Sequence, residues 1–163
     1  MLIPIIFFST FFILILFFIN SINKNRENQY KFLIESLKTE TELYIEQTKI
    51  ATMTMGRNNR DFLFNRCDLY LTKNAMIILG FTKNSFLKQL SLPIILTTEL
   101  SELSNRFPFA YVKKVNKISF ENNIVKINFG EKGITKTEVT LKFNSLSEIE
   151  KTKIKELVEK NCW

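Results

Sequence analysis

Histidine is absent from the 163-residue sequence, and cysteine occurs only at Cys67 and Cys162. Without histidine the chain has no Ser-His-Asp or Cys-His nucleophile system and no histidine-ligated metal site. Two cysteines cannot supply a four-cysteine zinc site or a dense disulfide framework. Glycine and proline are also scarce, at four and three residues, and the chain has no glycine-rich phosphate loop or nucleotide fingerprint. We therefore predict a protein that is not an enzyme and holds no metal or cofactor.

Basic residues exceed acidic ones by 23 to 16, which gives a formal net charge of +7. Lysine supplies 18 of the 23 positive charges, in a chain that is also rich in isoleucine, asparagine and phenylalanine. That bias is typical of a compositional effect, so the charge is weak evidence for a nucleic-acid partner. Single-strand binding would need exposed aromatic residues, whereas Phe120, Phe129 and Phe143 occupy the inner register of alternating strands. We predict no nucleic-acid partner.

Residues 2–19 form an uncharged and almost entirely apolar run. A helix of this length spans roughly 27 Å, close to the hydrocarbon thickness of a bilayer. We therefore predict a transmembrane anchor over residues 1–21 of a single-pass membrane protein. Lys24, Arg26, Lys31 and Lys38 follow the run and none precedes it, which predicts a cytoplasmic C-terminal domain. An exported domain with a cleaved signal peptide is the remote alternative, although no basic residue precedes the run and no small-residue cleavage site follows.

Residues 22–47 are polar and charged, and they contain no glycine or proline. Their apolar positions recur at near-helical spacing, which predicts a juxtamembrane helical spacer. These positions are Tyr30, Leu33, Ile34, Leu37, Tyr44 and Ile45. The stripe either docks on the domain that follows or forms a self-associating helix.

From residue 48 onward the apolar residues change to an alternating, strand-like period. About seven strands in hairpins are predicted, near residues 50–55, 67–72, 75–79, 92–97, 111–120, 125–129 and 139–143. A C-terminal helix follows, where Ser145 with Glu148 and Ser147 with Glu150 form overlapping capping boxes. The fold class is α+β, in which a curled antiparallel sheet is capped by the final helix.

The segment from Asp68 to Ile78, with the letters DLYLTKNAMII, reads as strand, tight turn and strand. It resembles the strand-turn-strand text of GRAM-like members of the pleckstrin-homology-like superfold, and the resemblance covers residues 48–163. It implies a PH-like domain that binds a ligand or serves as a scaffold, without implying which ligand.

A basic loop between the first two predicted strands contains Arg57 and Arg60. The resemblance implies that this is where lipid-binding members hold phosphate groups, and Arg66 and Lys73 lie close enough in sequence to join them. Arginine makes bidentate contacts to phosphate oxygens, so we predict a site for anionic lipid headgroups. The alternative is a solvated loop in which Arg60 pairs with Asp61.

Three further features remain open from the residues alone. Residues 113–142 contain seven lysines against three glutamates, which suits an anionic surface or simply the solvent side of alternating strands. The segment 92–97 carries Pro93, which favours either a sheet edge, where a protein partner could bind, or the start of a strand. Cys67 follows Arg66, but without a histidine to activate it a buried structural thiol is favoured over thiol chemistry.

These patterns together predict a membrane-anchored, non-catalytic binding or scaffolding module. Anionic lipid headgroups are the first candidate partner. A protein-protein interaction or assembly factor without lipid specificity is the alternative.

Overall fold

Three helices and nine strands make up the described part of the chain in the computed structural model. The structure describes residues 2–56, 59–83, 89–121, 123–131, 133 and 136–163, without the side chains of residues 2–10, 12, 59 and 60. The helices are α1 (Leu2–Leu37), α2 (Leu100–Arg106) and α3 (Glu148–Asn161). The strands are β1 (Thr41–Gly56), β2 (Arg66–Thr72), β3 (Ala75–Thr82), β4 (Gln89–Leu90), β5 (Ile94–Thr97), β6 (Tyr111–Lys113), β7 (Val115–Glu121), β8 (Ile124–Gly130) and β9 (Thr137–Phe143).

The strands form one mixed sheet in the order β6-β5-β3-β2-β1-β9-β8-β7, with β4 paired to β3. The two ends of this order, β6 and β7, are separated in sequence only by Lys114, so the sheet curls into a nearly closed barrel. The long β1 belongs to both halves, because Thr41–Lys49 pairs with β2 and Ile50–Gly56 pairs with β9. It bends at Gln47, where φ is 48° and the backbone N–H donates to Asp68 Oδ1 at 2.8 Å.

The main core lies inside the curl and is closed at one end by α3. Ile154, Leu157 and Val158 of α3 are buried against strand residues such as Phe129 and Phe143. The helix begins at the predicted capping box, in which the Ser147 hydroxyl accepts from the Glu150 N–H and the Glu150 carboxylate accepts from the Ser147 N–H. The local sequence therefore determines where the closing helix begins.

A second core lies on the outer side of the β2-β3-β5 half, under α1 and α2. Tyr30, Leu33 and Leu37 of α1 are buried there against alternate residues of β3 and β5. The run Ala75–Leu79 is apolar at every position because β3 is covered on both faces, which is typical of a central strand. The α1 stripe therefore docks on the domain, which was one of the two predicted alternatives, but it ends at Leu37.

The single-pass anchor predicted for residues 1–21 is wrong. Within the side chains that the structure describes, no helix is long and apolar enough to cross a membrane. A helix needs about 18 or more apolar residues to cross a bilayer, and any stretch of that length within residues 13–37 of α1 includes the charged Lys24, Arg26 and Glu27. The side chains of residues 2–10 and 12, most of them apolar, lie outside the described ones. The single-pass membrane localisation and its cytoplasmic orientation depended on this anchor and are withdrawn with it.

The rest of the predicted fold class also needs correction. The sheet is mixed rather than antiparallel, because β5 and β6 run parallel, and its described part has nine strands rather than about seven. The spacer predicted as helical over residues 22–47 already pairs as a strand from Thr41. Of the two alternatives for residues 92–97, the sheet edge is wrong, because β5 lies between β3 and β6 and is buried at every position. The strand start agrees with the structure, since β5 begins directly after Pro93.

Candidate functional site

Of the four basic residues predicted to bind headgroups, the structure describes the side chains of Arg66 and Lys73. Arg57 lies outside the described residues, and Arg60 lies in a 3-10 helix (Asn59–Phe62) without a described side chain. Arg66 begins β2 and donates from Nη1 to the Gln47 carbonyl at 3.1 Å. Lys73 follows the other end of β2, roughly 23 Å away along the strand. The structure therefore separates Arg66 from Lys73.

Cys67 is fully buried in the main core. Burial raises the pKa of its thiol above the ordinary value of 9.0, because the interior disfavours the thiolate. A nucleophilic cysteine needs the thiolate and access to a substrate, and Cys67 has neither at neutral pH. Its position is that of a small apolar core residue.

A cleft of about 410 Å³ lies between the end of α1, the start of β1, the β2–β3 turn and α2. Its apolar floor comes from both the sheet and the covering helices. The floor residues are Leu37, Ala75, Ile77, Ile95 and Leu103. The volume falls in the range of small-ligand sites in proteins. We call this cavity the cleft.

The rim of the cleft carries charges of both signs, with the negative ones in excess. Its charged residues are Glu40, Glu42, Glu99, Glu102, Lys73 and Arg106. Four carboxylates against two cations leave the rim at −2, in a chain whose net charge is +7. The cleft is therefore a local acidic surface on a basic protein.

Hydrogen bonds from two side chains, Arg106 and Asn74, fix the walls of the cleft. Arg106 on α2 donates to Glu40 Oε1 at 2.8 Å and to the Ser36 carbonyl at 2.7 Å, which ties α2 to the end of α1. Asn74 donates from its amide to Glu99 Oε1 at 2.9 Å, which ties the β2–β3 turn to the residue before α2. The rim is therefore held by the same residues that join these elements.

Glu42 and Glu102 have no ion-pair partner among the described side chains, whereas Glu40 is occupied by Arg106. Both carboxylates are exposed on the rim, and Glu42 also lies near enough to Lys153 on α3 for the two charges to interact. The carboxylates are too dispersed for a metal site, since no group of three potential ligands occurs in the described part of the chain. An organic cation with an apolar stem suits the cleft better than an ion, since the floor is hydrocarbon.

The sequence analysis did not predict this cleft. Of its charged residues it singled out only Lys73, and it assigned that residue to headgroup binding. Glu40 and Glu42 belong to the stretch predicted as helix, where they are typical of a solvated face. Glu99 and Glu102 lie in the long connection after β5, more than fifty residues away in sequence. No local pattern shows that these four side chains share one cavity.

Comparison with known proteins finds no matching family model, no matching curated protein and no matching solved structure. The resemblance of residues 48–163 to PH-like domains therefore stays a prediction.

Proposed function

We propose that this chain is a non-catalytic binding module that holds a basic segment of a partner protein in the cleft. The observation that carries the proposal is the cleft itself, which combines an apolar floor with an acidic rim in a basic protein. Lysine and arginine side chains match both parts, because they bury their aliphatic stems while their charged ends stay at a polar rim.

The exposed carboxylates of Glu42 and Glu102 give this proposal its charge preference. Exposed pairs between carboxylates and cations contribute about 0.2–1 kcal/mol each, so two of them favour a cationic ligand by a modest and salt-dependent amount. The apolar floor supplies contact that salt does not screen. Weak, reversible capture of a basic peptide is therefore the expected activity.

Anionic headgroup recognition by Arg57, Arg60, Arg66 and Lys73 stays a prediction that the described residues do not test. The positions of two of these residues favour the protein partner. Arg66 is engaged with the Gln47 carbonyl, and Lys73 stands among the carboxylates of the cleft.

The test uses the full chain and a fluorescein-labelled tetra-arginine peptide, with fluorescence anisotropy at low and high salt. We expect salt-sensitive binding, weakened roughly three- to tenfold in a Glu42→Gln/Glu102→Gln double variant. These substitutions leave the Arg106–Glu40 and Asn74–Glu99 contacts in place.

The matched control is Glu27→Gln/Glu121→Gln, which removes two exposed negative charges outside the cleft, and Glu27 lies about 15 Å before Leu37 along α1. It should bind the peptide within about twofold of the unmodified chain, since exposed charges more than a Debye length apart are screened. Absence of binding, or an equal loss in both double variants, would refute a specific cationic site in the cleft.

A further inference from the structure

The outer face of the β1-β9-β8-β7 half carries a surface that the cleft does not use. We call it the Met–Lys face and define it by Met53 and Met55 on β1, Lys142 on β9, Lys126 on β8 and Lys117 on β7. All five side chains are exposed. The face lies on the half of the sheet opposite to the one that α1 and α2 cover.

Two lysines stand directly opposite each other on this face. Lys126 is the cross-strand partner of Lys142, and the next residues in the same row are Ser119 on β7 and Ala51 on β1. Like charges at directly opposed positions destabilise a sheet, and this row contains no carboxylate to offset them. A bound anionic group between the two ammonium groups would remove that repulsion.

The lysines of the face are not neutralised within the described structure. Lys117, Lys126 and Lys142 form no ion pair with any described side chain. The nearby carboxylate of Glu138 accepts instead from the amide of Asn128 at 3.0 Å. In contrast, Lys113 and Lys136, which belong to the same basic stretch of sequence, both pair with Glu131. The structure therefore divides the predicted basic region into neutralised and available lysines.

An apolar strip adjoins the lysines on the same face. Met53 and Met55 are 54% and 66% exposed, and Met53 pairs with Thr140, two residues along β9 from Lys142. Methionine is flexible and polarisable, and it is frequent at surfaces that adapt to protein partners. A ligand that touches both parts needs carboxylates and apolar side chains together.

We propose that the Met–Lys face docks an acidic and partly apolar segment of a partner protein. Carboxylates of the segment lie over Lys126 and Lys142, and its aliphatic side chains pack on Met53 and Met55. The opposed lysines favour an acidic segment over a basic or neutral one by charge complementarity. This surface takes the opposite charge to the cleft and shares no residue with it.

The test measures binding of the full chain to a labelled peptide of four Glu-Glu-Leu repeats, beside a Lys-Lys-Leu peptide of equal length. We expect salt-sensitive binding of the acidic peptide at the face, weakened roughly three- to tenfold by Lys126→Gln/Lys142→Gln. A Met53→Thr/Met55→Thr variant should also weaken binding but keep the salt dependence, because it removes only apolar contact. The matched control is Lys155→Gln/Lys160→Gln on α3, which removes two positive charges elsewhere.

Three results would overturn the proposal. The first is absence of binding to the acidic peptide, and the second is an equal loss in the face variant and the α3 control. The third is tighter binding to phosphatidylserine vesicles or to a dT oligonucleotide that the same face variant abolishes. The Glu42→Gln/Glu102→Gln variant should keep its affinity for the acidic peptide, so failure at the cleft and failure at this face are distinguishable.

Discussion

Tyr30 joins α1 to the sheet, and removing its hydroxyl group tests how that junction is stabilised. The Tyr30 side chain is buried under α1, and its Oη lies 2.8 Å from the Gly80 carbonyl and 3.0 Å from the Ser91 carbonyl. The Ser91 hydroxyl lies 3.3 Å from the same oxygen. These groups belong to β3 and to the segment after β4, so one hydroxyl connects three parts of the chain.

Tyr30→Phe should lower the free energy of unfolding by about 1.5 kcal/mol. A neutral hydrogen bond contributes about 1 kcal/mol net, and a buried carbonyl left without its donor adds to the loss. The Gly80 carbonyl still accepts from the Ser91 N–H at 2.9 Å, so the variant does not leave this carbonyl without a donor and the added penalty stays small. For a chain of this size the midpoint of thermal unfolding should fall by roughly 3–6 °C.

Urea unfolding of the full chain, followed by far-ultraviolet circular dichroism, measures the effect. The matched control is Tyr111→Phe, because the Tyr111 hydroxyl forms no hydrogen bond with a described group, so this variant should stay within about 0.5 kcal/mol of the unmodified chain. A Tyr30→Phe loss no larger than that of the control would refute the hydrogen-bonded junction.

Two more predictions concern the cores. Burial raises the pKa of Cys67 above 9.0 and that of Tyr30 above 10.0, so the unfolded chain loses these protons first and stability should fall as the pH rises past 9. Between pH 9 and 10, Cys67→Ala should flatten this decline by up to about 1.4 kcal/mol per pH unit in urea titrations, and an unchanged slope would contradict the assignment. Gly80→Ala should cost about 1–3 kcal/mol, because its Cβ would overlap the buried Phe64 ring. Adding Phe64→Leu should recover part of that loss in the same assay, and strictly additive losses would contradict the overlap.

The features that were predicted correctly depend on neighbouring residues. Ser147 and Glu150 are three residues apart, and the capping box they form begins α3 as expected. Lys73 and Asn74 connect β2 to β3 where the strand pattern is interrupted. Local hydrogen-bonding and turn preferences are sufficient for such features, because the partners are already close in the chain.

The features that were missed depend on distant pairing. The apolar positions of residues 41–47 are compatible with both a helical and an alternating, strand-like period, and pairing with β2 selects the strand. Pro93 left a sheet edge or a strand start open, and its carbonyl accepts from the Tyr111 N–H at 2.8 Å, where β6 continues the sheet in parallel. Because α2 separates β5 from β6 in sequence, no local signal predicts that β6 returns beside β5.

The candidate sites show why net charge is a poor guide to the partner of this protein. The formal net charge of the chain is +7, yet the rim of the cleft carries −2. At physiological salt, charges more than about 8 Å apart are largely screened, so a ligand responds to the few side chains beside it. Both proposed interactions should weaken with salt although they select peptides of opposite sign. In both proposals it is therefore the grouping of charges by the fold, at the cleft and across β8 and β9, that sets the charge of the segment we expect each surface to bind.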